Sequence, residues 1–227
     1  MIHAIAIDGP AGAGKSTIAK LVAKKLGIVY VDTGAMYRAI GLYMINHGIE
    51  KSDIEAVKKG LSDIAIDIKY INGSQHVLLN GDDVSDKIRT EEVSRAASDF
   101  AVIPEVRKGL TELQRNLAKK TAVVMDGRDI GTVVLPDASA KIYLTASAHV
   151  RAERRYKEQI AKGLSVNISD IEADIIKRDE QDKNRAVAPL KQADDAVLVD
   201  SSDMTIDDAA FAILSEAAKR DPSFAVS

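Results

Sequence analysis

The chain has 227 residues, which suits one α/β domain with a sizeable core and an insertion better than two independent domains. Its residues are 46% apolar, 29% charged and 4% aromatic, with no Trp, the balance of an aliphatic-cored folded protein in which disorder is expected only from about Asp221 to Ser227. A net charge of -3 gives no bulk attraction for a polynucleotide or an anionic membrane, so any phosphate affinity must be local, and the lack of Cys rules out disulfides and thiolate metal sites without fixing the compartment. MIHAIAIDGP lacks a basic stretch followed by a long apolar run and no apolar run is long enough to span a bilayer, so cytoplasmic residence is expected.

The first element, Ile2 to Ile7, is short, branched and apolar, and reads as a buried strand that stops at Asp8-Gly9. Ile18, Leu21, Val22, Ala23 and Leu26 then recur at helical spacing, and Gly27 closes the helix. A second strand, Ile28 to Val31, leads through Asp32-Thr33-Gly34 into a helix from about Ala35 to Asn46. Between about Ile64 and Val84 the residues alternate, and Asn72-Gly73 and Asn80-Gly81 each supply a tight-turn pair, which predicts a three-stranded antiparallel meander. Helical segments follow from about Thr90 to Lys119. Strands are expected again at Thr121 to Met125, Lys141 to Thr145 and Ala196 to Val199, and helices from about Ala148 to Lys162 and Ile206 to Lys219, with Thr205 and Asp208 spaced as a capping box. Strands alternating with helices imply a parallel sheet wrapped on both faces.

Gly9, Gly14, Lys15 and Ser16 satisfy G-x-x-x-x-G-K-[ST] between a strand and a helix. Gly9, Pro10, Ala11, Gly12, Ala13, Gly14, Lys15, Ser16 and Thr17 are expected to bind ATP: the loop's backbone N–H groups and the helix start suit its phosphates, Lys15 suits their β/γ charge, and the Ser16 hydroxyl suits Mg²⁺. The bland alternative is a flexible glycine turn with an accidental lysine. Asp126, ending an apolar strand, suits Mg²⁺ through water, although an Asp after a strand is also an ordinary turn former. Arg128 and Asp129, at the same sheet edge, suit a phosphate and a base amine respectively. Arg151, Arg154 and Arg155 form a basic helix where a lid over the phosphates would fall, or else a solvated face. Their mutual repulsion would keep such a lid open until phosphates arrive. Arg178 and Arg185, with Asp179 and Asp182 between them, are surface ion-pair residues taken singly and anion-clamp candidates beside a phosphate loop. The four histidines lack ligand spacing.

The segments IDGPAGAGKST, VDTGAMYRAI, IRTEEVSRAAS, PEVR, DGRDIGTVV and KRDEQDKNRAVAPL give the sequence its resemblance to bacterial cytidylate kinases, along nearly its whole length. The resemblance implies that Thr33, Tyr37 and Arg38 lie beside the acceptor nucleotide, with Arg38 on its phosphate. It further implies that Ser98, Arg107 and Asp129 read the cytosine ring, that Arg128 and Arg185 contact phosphate, and that Arg178 and Asp182 lie near the ribose. The meander corresponds to the family's monophosphate-binding insert. The residues alone would not reach cytosine, but a carboxylate with arginine and a hydroxyl is chemically suited to an edge that offers one amine donor beside two acceptors.

The expectation is therefore one α/β domain: a doubly wound P-loop core at about 1–60 and 120–220, an antiparallel meander and helical insert at about 61–119, and a short lid at about 150–170. Its chemistry would be Mg²⁺-assisted transfer from ATP to CMP or dCMP, with Lys15, Arg128, Arg154 and Arg155 serving the transferring phosphoryl group, in a monomer without polynucleotide or membrane partners. The rivals are a P-loop kinase for UMP or a small metabolite, and a nucleotide-hydrolysing switch, against which stands the lack of an N-K-x-D segment.

Overall fold

The structure is a computed structural model that describes residues 2–225. In chain order the main elements are β1 (Ile2–Asp8), α1 (Lys15–Leu26), β2 (Val29–Asp32), α2 (Thr33–Asn46), α3 (Ile54–Ser62), β3 (Ile66–Ile71), β4 (Ser74–Leu79), β5 (Asp82–Asp83), α4 (Glu91–Phe100) and α5 (Pro104–Lys120). They continue with β6 (Val123–Gly127), β7 (Ala138–Thr145), α6 (Ala148–Ala161), α7 (Ile168–Asn184), β8 (Val197–Asp200) and α8 (Ile206–Arg220). A parallel five-stranded sheet runs in the order β2-β6-β1-β7-β8, and a separate three-stranded antiparallel sheet in the order β3-β4-β5. The expected α/β class and antiparallel meander are both present. In each predicted turn the Asn sits in the left-handed region, φ 51 at Asn72 and φ 52 at Asn80, the backbone that a two-residue hairpin needs.

The chain divides into two compact units, Met1–Tyr30 with Ala118–Ser227, and Val31–Leu117. Within the second unit α2 packs along α4 and also meets β4. In the first unit β1, at the centre of the sheet, is buried from Ala4 to Ile7, as a strand with neighbours on both edges must be. Ile5 and Ile7 pack with Ile18, Ala19 and Val22 of α1, Ile142 and Leu144 of β7, and Ala209, Ala210 and Ile213 of α8. Small alanines on α8 let it lie close to α1 and the sheet. Its start carries the Thr205–Asp208 capping box read from the sequence.

Two helices escaped the sequence reading. α3 is short, capped by Asp53, and buries only Val57 and Gly60, so its apolar signal is weak. α7 buries Ile171 and Ile175, which with Ile168 follow an i, i+3, i+7 spacing after the Asn167 cap; that signal was available in the sequence. The chain end also departs from expectation. Pro222–Phe224 form a turn of 3-10 helix whose Phe224 is 1% exposed in the main core, its ring stacked 4.4 Å from that of His3. Residues 226 and 227 lie outside the described residues. Phe224→Ala should therefore remove about 3–5 kcal/mol, and a thermal melt should show the midpoint lowered by roughly 6–20 °C. A melt that matches the parent would mean that this end of the chain is dispensable.

Candidate active site

In the first unit the phosphate loop leaves β1 at Gly9, whose φ of 150 and lack of a side chain are both needed: a Cβ there would stand 1.9 Å from the Leu144 carbonyl oxygen. α1 starts at Lys15, directly after Gly14, so its free N–H groups face into the loop, the arrangement that favours a phosphate. Lys15 is buried, and among the described residues its ammonium has one hydrogen bond, from Nζ to the Pro10 carbonyl at 2.7 Å. Burial and the nearby Arg128 guanidinium push its pKa down to about 7, against the pull of Asp126, Asp182 and Asp8.

Ser16 Oγ donates to Asp126 Oδ2 at 2.9 Å, which joins the hydroxyl of the loop to the carboxylate at the end of β6. Asp126 Oδ1 accepts from the Tyr30 hydroxyl at 2.8 Å, a partner that the sequence reading missed. Among the described residues no group of three or more His, Cys, Asp or Glu side chains forms a metal cage. A hydroxyl beside a buried carboxylate nonetheless fits Mg²⁺, which binds hard oxygens and takes most of its shell from phosphates and water.

Beyond β6 the DGRDIGTVV segment turns through a single π-helical turn, Ile130–Val134, in which Leu135 N bonds to Ile130 O at 2.7 Å. Just before it, Arg128 Nε donates to Asp182 Oδ2 of α7 at 2.8 Å. Arg185 Nη1 lies 3.9 Å from the other oxygen of Asp182, and its Nη2 lies 3.4 Å from Asp129 Oδ1. Burial works against the charge on Arg128, yet Asp182 outweighs it and holds the guanidinium above its ordinary value. For Asp182 burial alone would raise the pKa, but Arg128, Arg185 and Arg178 bring it below the usual carboxylate range. The result is an alternating row, Arg128, Asp182, Arg185 and Asp129, whose members were legible in the sequence and whose pairing was not. Arg185 Nε also donates to the Ala188 carbonyl, and Ala188 sits at φ 49, a left-handed backbone that disfavours a side chain by roughly 1–2 kcal/mol. That turn bends the chain back so that Leu190, which is buried, bonds through its N–H to Asp182 O at 2.8 Å.

The basic helix α6 lies against the phosphate loop. Arg151 is buried, donating from Nη1 to the Ala11 carbonyl at 2.9 Å and pairing in bidentate fashion with Asp179 at 3.1 and 2.6 Å. Arg154 Nη2 donates to Ser201 O at 2.6 Å, and a Cβ on Gly14 would lie 4.0 Å from Arg154 Nη1. The expected repulsion along this helix is thus absent at Arg151, whose charge is neutralised, and Arg154 is tied to the chain after β8. Arg155 and Arg178 are half-buried on α6 and α7.

The second unit carries the other predicted residues. Asp32 caps α2, accepting from Ala35 N at 2.9 Å, and pairs with Arg38 Nη2 at 3.2 Å. Thr33 opens the helix and is buried. Gln75 of β4 grips the same strand end, accepting from Asp32 N at 2.8 Å and donating to Asp32 O at 3.2 Å, as a further strand would. Nothing in the sequence marked Gln75. Arg107 is buried on α5, donates to Ala101 O at 3.2 Å and lies 5.7 Å from the Tyr37 ring, in cation–π range. Ser98, on α4, donates to Ser94 O at 3.2 Å.

The profile of the cytidylate kinase family matches residues 5–219. The chain belongs to the cytidylate kinase family. It is 53% identical over 204 residues to the cytidylate kinase of Caldicellulosiruptor saccharolyticus, covering 90% of each chain. It is 50% identical over 210 residues to that of Shouchella clausii, covering 92% of this chain and 93% of the relative. Among solved structures, an uncharacterized protein from Eubacterium ventriosum aligns over 96% of this chain and 99% of its own with a TM-score of 0.53; at 13% identity that likeness concerns the fold alone. The family to which the sequence motifs pointed is therefore the family of this chain, and the phosphate loop and DGRD segment fall within the matched span.

Proposed function

We propose that the protein phosphorylates CMP and dCMP with ATP, giving CDP or dCDP and ADP. The observation that carries this reading is the family match across 5–219, supported by the intact loop and by the row of arginines and aspartates at the β6 edge. An acceptor phosphate oxygen forms the new bond to the γ-phosphorus as the bond from that phosphorus to the β–γ bridging oxygen breaks. The acceptor oxygen is already ionised at neutral pH, so no base is needed and charge stabilisation with alignment supplies the rate. Lys15 and Arg128 take the charge of the transferring group. Arg154 and Arg155 add to it from α6, by side-chain movement, because Arg151 anchors that helix to the loop. Ser16, with Asp126 through water, would hold Mg²⁺, which when bound neutralises charge on the β- and γ-phosphates.

In the first unit Arg128 and Arg185 take phosphate, Arg178 and Asp182 the ribose, and Asp129 the cytosine amine. In the second, Thr33, Tyr37 and Arg38 serve the acceptor nucleotide and Ser98 and Arg107 its base. The pairing of Arg38, Arg128 and Arg185 with Asp32, Asp182 and Asp129 keeps these three in place before substrate arrives, which lowers the reorganisation required on binding. A monomer resident in the cytoplasm suits this chemistry, and among the described residues no helix is long and apolar enough to cross a membrane.

Base choice provides the experiment. If Asp129 accepts the amine of cytosine, UMP sets a carbonyl oxygen against the carboxylate, and loss of a charged hydrogen bond worth roughly 1.5–3 kcal/mol favours CMP by about ten- to a hundredfold or more in kcat/KM. Asp129→Ala should reduce CMP more than UMP. An Asp129 that serves only to hold Arg185 would lower both substrates alike, so an unchanged CMP/UMP ratio in the variant refutes base reading.

A further inference from the structure

Asp8, the last residue of β1, is 4% exposed, and its carboxylate receives two consecutive backbone N–H groups: Ile130 N on Oδ1 and Gly131 N on Oδ2, both at 2.7 Å. The residue after Asp8 is Gly9, where the phosphate loop begins, and the two residues before Ile130 are Arg128 and Asp129. One side chain thus ties the start of the donor loop to the segment that carries the proposed acceptor contacts. The approach is tight. A Cβ at Gly131 would lie 3.2 Å from Lys141 Cδ and 3.4 Å from Asp8 Oδ2, so a side chain there would press on the Lys141 stem and just touch the carboxylate.

We propose that Asp8 is a positioning residue for acceptor binding: its two carboxylate oxygens fix the backbone at Ile130 and Gly131 and so hold Arg128 and Asp129 in place beside the phosphate loop. The inference rests on the reading of Arg128 and Asp129 as acceptor contacts. An ionised carboxylate suits this task because each N–H needs an acceptor and neither tolerates a donor; a protonated acid, or an amide, turns one donor against another. Asp8 faces Lys15 from α1, Asp129 from the segment after β6, and Tyr143 and Lys141 from β7. Burial pushes its pKa up, the two N–H donors pull it down, Asp129 raises it and Lys15 lowers it; burial prevails, and the group is pushed up to about 6. The clamp should loosen as pH falls through that value.

The test compares the full-length parent, Asp8→Asn and Asp129→Ala in steady-state kinetics from pH 5 to 8, with CMP and a non-hydrolysable ATP analogue titrated separately by calorimetry. For the parent, kcat/KM for CMP should fall on the acid side around pH 6, more steeply than ionisation of the acceptor phosphate alone requires. Asp8→Asn at pH 8 should lose about ten- to a hundredfold in kcat/KM for CMP, the scale of a displacement of about 1 Å in a positioned group, while the ATP analogue binds as before and the acid limb shrinks to that of the acceptor phosphate. Equal weakening of both ligands would show a merely structural carboxylate and overturn the proposal, as would parent-like CMP kinetics in Asp8→Asn when Asp129→Ala is impaired. If instead Asp129→Ala keeps full CMP kinetics, the reading of the DGRD contacts fails first. Should Asp8→Asn not fold, Asp8→Glu keeps the charge and moves the carboxylate by one methylene against the same two N–H groups: a selective loss of CMP binding supports the clamp, and unchanged CMP binding overturns it.

Discussion

Replacing Lys15 with Met is expected to lower kcat by about a hundredfold or more and yet leave the protein as stable as the parent or more so. The loss of rate follows from removing a charge aimed at the transferring phosphoryl group. The gain in stability follows from the free protein, where the ammonium is buried with a single carbonyl partner among the described residues. Its pKa lies near 7 in the folded chain, against an ordinary value of 10.5. Between those values the unfolded chain binds more protons than the folded one, so this group's contribution to stability rises with pH across the window and is least favourable below about 7. The melting midpoint of Lys15→Met relative to the parent should accordingly be highest near pH 6 and shrink towards pH 10. Met keeps the length and apolar stem of the side chain, which avoids confusing the comparison with a cavity. Parent-like turnover in a folded variant would remove the loop from the chemistry; a variant less stable at pH 6 than at pH 9, relative to the parent, would contradict the charge argument.

Arg151→Met is expected to destabilise the fold by about 3–5 kcal/mol, because it strands the carboxylate of Asp179 in the interior without its partner. For a chain of this length that corresponds to a midpoint roughly 6–20 °C lower. Asp179→Asn should be damaging too, since it leaves the guanidinium with backbone acceptors alone, whereas the double replacement Arg151→Met with Asp179→Leu should recover much of the loss, buried ion pairs being close to neutral against well-packed apolar residues. Arg151 also donates to the Ala11 carbonyl, so the single variant should raise KM for ATP as the loop loses its support. Thermal melts of the three variants, with ATP kinetics on those that fold, decide the point. If Arg151→Met melts with the parent, the pair is superficial and α6 is free to move as a lid; if the double variant is as unstable as the singles, packing and not charge is what the arginine supplies.

Much of the site was legible because its determinants are local. The phosphate loop needs only a strand, a glycine at Gly9 and a lysine at the helix start, all close together in the chain, and backbone geometry then presents the N–H groups. The two Asn-Gly turns and the Thr205 cap are equally local, and the structure contains both. Cytosine was not legible from chemistry alone. Arg107, Ser98 and Asp129 are ordinary residues taken singly, and their proposed roles come with the family.

By itself, then, the sequence determined the alternation of strands and helices, the loop and the turns, since these depend on neighbours a few residues apart whose dihedral preferences and periodicity act without help. Tertiary structure alone decided who meets whom. The order β2-β6-β1-β7-β8 sets Ile7 beside Asp126, and only that register brings Ser16 to Asp126 and Asp8 to the N–H groups of Ile130 and Gly131. Arg151 became a buried anchor and not a free lid charge because α7, unrecognised in the sequence, carries Asp179 to it. The physical reason is the same in each case: a buried charge must find a partner once water is gone, and which partner is within reach depends on how distant segments pack, information that no local pattern contains.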